Sequence, residues 1–188
     1  MGMPALPTTG WTADLLEALP DDGKRYEIID GELFVTPAPT IAHQRVVGAF
    51  YSQLRAFLQH SAVGEVILSP ADIRSGPRTS VQPDLFVVRG PGRLGSRGWP
   101  ELDALLLAIE VLSPRTARVD RGVKRHLYQR TSIAEYWIVD LDSRLIERWR
   151  PDDERPEILR ETIEWHAGAV ATPLVIALPP LFAEALAE

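Results

Sequence analysis

The sequence predicts an α/β fold, a mixed β-sheet core flanked by helices, and three observations carry that prediction. Short apolar runs bounded by Gly, Pro, Asp and Ser read as strands, and they alternate with stretches whose apolar residues recur every three or four positions. Leu105 to Leu112 is an aliphatic run of strand length broken only by Glu110, as expected of a strand buried on both faces. The 188 residues suffice for one domain spanning 1–188, and 45% hydrophobic with 24% charged residues excludes a disordered, collagen-like or coiled-coil chain.

Taken in order, Thr12 is placed to cap a short helix, Ala13 to Leu19, that Pro20 ends. Arg25–Ile29 and Leu33–Val35 flank Asp30-Gly31, a hairpin signal, since both turn positions must accept positive φ. Residues 40–60 predict the longest helix: Val46, Val47, Phe50, Leu54, Phe57 and Leu58 form one stripe, with His43 a turn earlier on the same stripe. Gly64–Leu68 and Leu85–Val88 read as strands and 89–100 as a loop with four Gly and two Pro. Ser113-Pro114 stops the 105–112 strand, and 117–131 reads as a helix. Strands follow at Glu135–Asp140, Leu145–Trp149 and Glu157–Glu161, and Leu178-Pro179-Pro180 launches a terminal helix, Pro being suited to a first turn.

The chain has no cysteine, which excludes a disulfide framework, thiol catalysis and thiolate metal sites and fits a cytoplasmic setting. The first twenty residues lack the basic start and apolar run of a secretory leader. Ala104 to Ile109, six residues, falls far short of the ~20 needed to cross a membrane, so no membrane partner is expected. The net charge of −6 is unevenly distributed. Residues 1–73 carry four basic and nine acidic groups, 74–134 eleven and five, and 135–188 five and twelve. A centre of +6 between acidic ends suits an anion, although an arginine-rich solvated face would give the same count.

Within that centre, Glu110 demands an explanation, because an ionised carboxylate inside an aliphatic strand is costly unless compensated. One of the 18 arginines is the structural alternative as partner. The other is a site: Asp84, after Pro83 at the mouth of another strand, supplies a second carboxylate, and two such oxygens suit Mg²⁺ or Mn²⁺. Only two lysines occur, Lys24 and Lys124. Lys124 shares a helical face with Asp120 and Tyr128 at i, i+4, i+8, either as a surface ion pair or as a charge aimed at the site. His60, His126 and His166 have no ligand-like spacing.

Pro83-Asp84 followed by Glu110-Val111-Leu112 resembles the PD-(D/E)XK nuclease motif, with Leu112 where that motif carries lysine. The chain resembles, along most of its length, the Uma-type restriction endonuclease branch, in which the lysine comes from the following helix. The segments carrying the likeness are Tyr26 to Leu33, His43, Pro83-Asp84, Ile109 to Pro114, Asp120, Lys124, Tyr128 and Glu135 to Asp140. The resemblance implies a restriction-endonuclease-like core and metal-dependent hydrolysis of DNA. It implies that Asp84, Glu110 and the Val111 carbonyl hold the metal and that Lys124 acts on the attacking water and scissile phosphate. Glu27, His43, Asp120 and Tyr128 would support them. Arg115, Arg118, Arg121 and Arg125 are candidates for holding flanking phosphates. A homodimer is expected of a small nuclease spanning a duplex. The competing reading is a nucleic-acid-binding or assembly module of the same fold, inactive because Leu112 replaces lysine.

Overall fold

A computed structural model describes residues 10–61, 63–90, 101–168, 170 and 172–187; most of the predicted 89–100 loop lies outside them. In chain order the elements are α1 (Ala13–Leu16), β1 (Arg25–Ile29), β2 (Glu32–Thr36), α2 (Ile41–Leu58), β3 (Gly64–Leu68), β4 (Ile73–Arg74), β5 (Ser80–Val81) and β6 (Leu85–Arg89). After a 3-10 turn at Leu102–Ala104 come β7 (Leu105–Val111), α3 (Ala117–Val119), a π-helical turn at Asp120–Lys124 and α4 (Arg125–Arg130). The chain continues through β8 (Glu135–Asp140), β9 (Leu145–Trp149), β10 (Glu157–Leu159), β11 (Thr162–Trp165), β12 (Leu174–Ala177) and α5 (Leu178–Ala185).

The main sheet has six strands in the order β10-β9-β8-β7-β6-β3. β7 and β8 pair in parallel and the remaining pairs are antiparallel, so the sheet is mixed as predicted. α2 and α5 cover one face, where Val46, Phe50, Leu54 and Phe182 pack on Leu107, Ile109, Trp137 and Val139. On the other face Leu127 and Tyr128 of α4, with Ile29, Ile73 and Val81, pack on Phe86, Ala108, Tyr136 and Ile138. Strand alternation therefore sends Glu110, like Ala108, toward α4. Ile29, Ile73 and Val81 belong to a second sheet, β2-β1-β5-β4. Its β1–β2 hairpin turns at Asp30-Gly31 with φ of 54° and 86°, as the sequence signal requires.

α2 starts where Thr40 accepts the His43 backbone N–H at 3.2 Å. The predicted N-terminal helix is shorter than its sequence pattern, ending at Leu16. The strand predicted at Glu157–Glu161 is β10 and ends at Leu159, and a further strand, β11, follows at Thr162–Trp165, alternating exposed and buried residues against β12 in a separate hairpin. The helix predicted over 117–131 is not uniform. Its middle widens into a π turn, with the Arg125 N–H reaching the Asp120 carbonyl, and the Tyr136 hydroxyl donates to that same carbonyl at 3.2 Å. β4, β5, β11 and β12 were not predicted; the first two are only two residues long, too short for a periodic signal.

Candidate active site

β7 and β6 bring the two carboxylates together. Leu85 is opposite Ile109 in the antiparallel register, so Asp84, one residue before β6, lies opposite Glu110 and on the same face. Asp84 Oδ2 accepts the Val111 N–H at 2.9 Å and meets His43 Nε2 at 3.0 Å. A carboxylate only accepts, so that ring nitrogen carries the proton. Asp84 Oδ1 accepts from Arg25 Nη1 at 2.7 Å. Arg25 and Glu27 alternate along β1 and so share a face, and Glu27 Oε2 lies 2.8 Å from Lys124 Nζ. Glu27 is held in place by the Gln82 N–H, which donates to its Oε1 at 2.7 Å.

Lys124 is the hub of this cluster. Its ammonium lies 2.8 Å from Glu110 Oε1, 2.8 Å from Glu27 and 3.8 Å from Asp120 Oδ1, and all four side chains are buried. The compensating partner of Glu110 is thus this lysine, not an arginine. The Asp120–Lys124 pair is buried, not a surface bridge. Tyr128 completes the arrangement, its hydroxyl donating to Glu110 Oε1 at 3.3 Å. Leu112, the residue at the usual lysine position, is half-buried among the apolar residues of the α4 face.

These contacts set the protonation states. Burial opposes ionisation of Asp84, but the His43 hydrogen bond and Arg25 outweigh it and hold its pKa at about 2. Burial raises Asp120 to about 6, against the pull of Lys124. It also pushes Glu110 well above the usual carboxylate range, again opposed by Lys124. Burial disfavours the charge on Lys124, yet Glu110, Glu27 and Asp120 together keep the ammonium well above its ordinary pKa. Lys124 is therefore a hydrogen-bond donor in this arrangement and not a ready proton acceptor. Burial, then Glu110, raise the Tyr128 phenol, which keeps its proton to donate.

The cluster forms the floor of a cavity of about 730 Å³ whose walls come from the β2–α2 loop, the 112–117 segment, the β8–β9 turn and Leu186. Among the described residues six carboxylates and four Lys or Arg side chains line it, a formal charge of −2 from those ten groups. From the described part of the 74–134 segment three acidic and three basic side chains line it, so these residues bring no net positive charge to the site. Of the four candidate arginines, Arg115 and Arg121 line the cavity, the latter tied to Asp140 at 2.9 Å and Glu147 at 2.6 Å. Arg118 and Arg125 do not line it. Arg125 stacks over Trp149, 4.7 Å from the ring centroid, because the helix turns it away. Arg25, which the sequence reasoning overlooked, is the cation in contact with Asp84; its strand alternation with Glu27 was the available signal. Among the described residues no three His, Asp or Glu side chains are placed to hold one metal ion together, so a cation here would rest on two carboxylates and backbone.

A mixed sheet flanked by helices, with carboxylates from neighbouring strands and a lysine from the helical segment after them, is the restriction-endonuclease-like architecture. The chain belongs to the Uma2 family, described as "Putative restriction endonuclease", which it matches over residues 13–178. It is similar to a crystal structure described as "a putative nuclease belonging to DUF820" from Anabaena variabilis ATCC 29413, with 20% sequence identity and a TM-score of 0.76. That match covers 93% of this chain and 99% of the other, a likeness of fold. No functionally curated protein matches the chain. Among the described residues no helix is long and apolar enough to cross a membrane.

Proposed function

We propose that the protein is a metal-dependent nuclease hydrolysing DNA phosphodiester bonds, working in the cytoplasm. The observation that carries this reading is the placement of Asp84 opposite Glu110, with Lys124 2.8 Å from the latter, in one cavity. The donor set fits Mg²⁺ or Mn²⁺. Both are hard ions that accept one or two carboxylates, and the formal −2 of the lining is what a divalent cation neutralises. The backbone supports the third ligand. Leu112 N–H is spent on the Val139 carbonyl in β8, so the backbone groups of Val111 face the opposite edge, where its N–H meets Asp84.

Asp84, Glu110 and the Val111 carbonyl would hold the ion. When bound, it supplies Lewis acidity toward a phosphoryl oxygen and a water of lowered pKa. The protein's own groups do the rest. His43 and Arg25 fix the Asp84 carboxylate and keep it ionised. Lys124 donates toward the charge that develops on the phosphate, and Glu27 and Asp120 keep it protonated for that purpose. Lys124 arriving from the helical segment serves where Leu112 cannot. Every group named belongs to one chain, so a homodimer would carry two complete sites; light scattering against the 20.9 kDa chain mass reads that state.

The test is cleavage of DNA by the purified protein in Mg²⁺ or Mn²⁺, beside Asp84→Asn, Glu110→Gln and Lys124→Met. Each substitution should lower the rate at least ~100-fold, the scale of lost transition-state donors and metal ligands. Wild-type rates in all three would overturn the assignment. A nucleic-acid-binding module without catalysis would instead retain binding and show no cleavage with either metal.

A further inference from the structure

The geometry points to a single-stranded or locally unpaired nucleotide, not a stacked duplex, as what the site receives, and we propose that its base is seated between the apolar walls of the cavity. This rests on the reading of the site as a phosphodiesterase. Three observations support it independently. The first is shape. The carboxylates are buried on the floor of a cavity of about 730 Å³ walled by four separate segments. That volume is in the range of a site for one small ligand or nucleotide. A single nucleotide fits that space. Asp84 and Glu110 are each 4% exposed, so a phosphate has to enter the cavity to meet them.

The second is the chemistry of the walls. Pro37, Pro39, Leu112, Pro114, Leu141 and Leu186 line the same cavity and present apolar surface beside the charged groups. Extruded bases are held between apolar or aromatic side chains in this way, whereas duplex-binding surfaces are polar and strongly cationic. The third is charge. Six carboxylates against four cations, with Arg121 held by Asp140 and Glu147, cannot draw in a polyanion by neutralising many phosphates. Affinity must come from burying a base, with few phosphates engaged.

The experiment measures anisotropy of a labelled 15-nucleotide oligo(dT) and of a blunt duplex of equal length, in Ca²⁺, across a salt series, with cleavage of both followed in Mn²⁺. The single strand should bind at least tenfold more tightly. Its log K against log salt should be no steeper than about −2, as for three or fewer phosphates. Ala42→Trp and Ala38→Trp, both at the cavity lining, should each weaken single-strand binding at least tenfold while circular dichroism and Tm stay at wild-type values. Ala38 is exposed, so its replacement disturbs no packing. Equal or tighter duplex binding, a salt slope of about −6, or unchanged affinity in both tryptophan variants would overturn the proposal. Faster cleavage of the duplex would overturn it while leaving hydrolysis standing. Pocket-dependent single-strand binding without cleavage of either DNA would uphold it and remove hydrolysis.

Discussion

Lys124→Met leaves Glu27, Glu110 and Asp120 facing one another around an apolar side chain. In the native cluster two contacts to the ammonium are 2.8 Å and the third 3.8 Å. At an effective dielectric of ~20, a unit pair at the shorter distance attracts by about 6 kcal/mol, and desolvation of buried ions takes back several kcal/mol each. Removing one partner from such a set costs about 3–5 kcal/mol, which is the loss of stability expected at pH 8. The loss should shrink in acid. Burial already raises Glu110 and Asp120, and without the lysine their folded-state pKa values rise further. Groups with raised folded-state pKa values contribute stability fully below the unfolded pKa of ~4 and lose it as pH rises through the folded value. Urea unfolding at pH 5 and pH 8 measures both numbers. A loss under about 1 kcal/mol at pH 8, or one that is no smaller at pH 5, would refute the view that Lys124 neutralises this cluster.

Three further outcomes follow from the same geometry. Asp84, held at about 2, contributes about 2 kcal/mol above pH ~4 that disappears as pH falls toward 2, so Asp84→Asn should flatten the acid limb of the stability profile. Asp120, raised to about 6, has the opposite sign: its ionisation costs stability above pH 6, and Asp120→Asn should gain about 2–3 kcal/mol at pH 8 and nothing at pH 4 in the same titrations. Gly64→Ala at the sheet edge would drive a methyl group into the Val88 carbonyl, backbone that cannot yield cheaply, and thermal unfolding should show a loss of about 1–3 kcal/mol. Wild-type Tm in that variant would mean that β3 shifts freely against β6.

The two acidic residues were legible because each breaks a local rule: Glu110 interrupts an aliphatic strand, and Asp84 follows a proline at a strand mouth. Lys124 stood out by rarity in an arginine-rich chain. Arg25 did not stand out, being one of 18, and its partner lies 59 positions away through a sheet whose β5 and β4 strands are two residues each. The π turn escaped because Asp120, Lys124 and Tyr128 share a face by α-helical spacing, and the widening shows only in the Arg125-to-Asp120 backbone bond. Charge counted along the chain misled for a related reason. Of the described arginines in 74–134 only Arg115 and Arg121 line the cavity, whereas carboxylates from β1, the segment before β6, β7 and the π turn converge there.

The site straddles two sheets of unequal cohesion. β7 is paired along both edges inside the main sheet, so its amides should exchange with solvent only when the whole domain opens. β1 is joined to β5 by a single residue pair, Ile28 with Ser80, and beyond its hairpin partner it is held by the Gly31 N–H bond to the Arg78 carbonyl, by the packing of buried Ile28 and Ile29 and by side-chain ties. Two of those ties are Arg25 to Asp84 and Lys124 to Glu27. Asp84 and Glu110 thus ride on the slowest-exchanging frame of the molecule. Arg25 and Glu27 ride on a strand with sparser backbone pairing, and hydrogen exchange in β1 should quicken in variants that break the Arg25–Asp84 or Lys124–Glu27 tie.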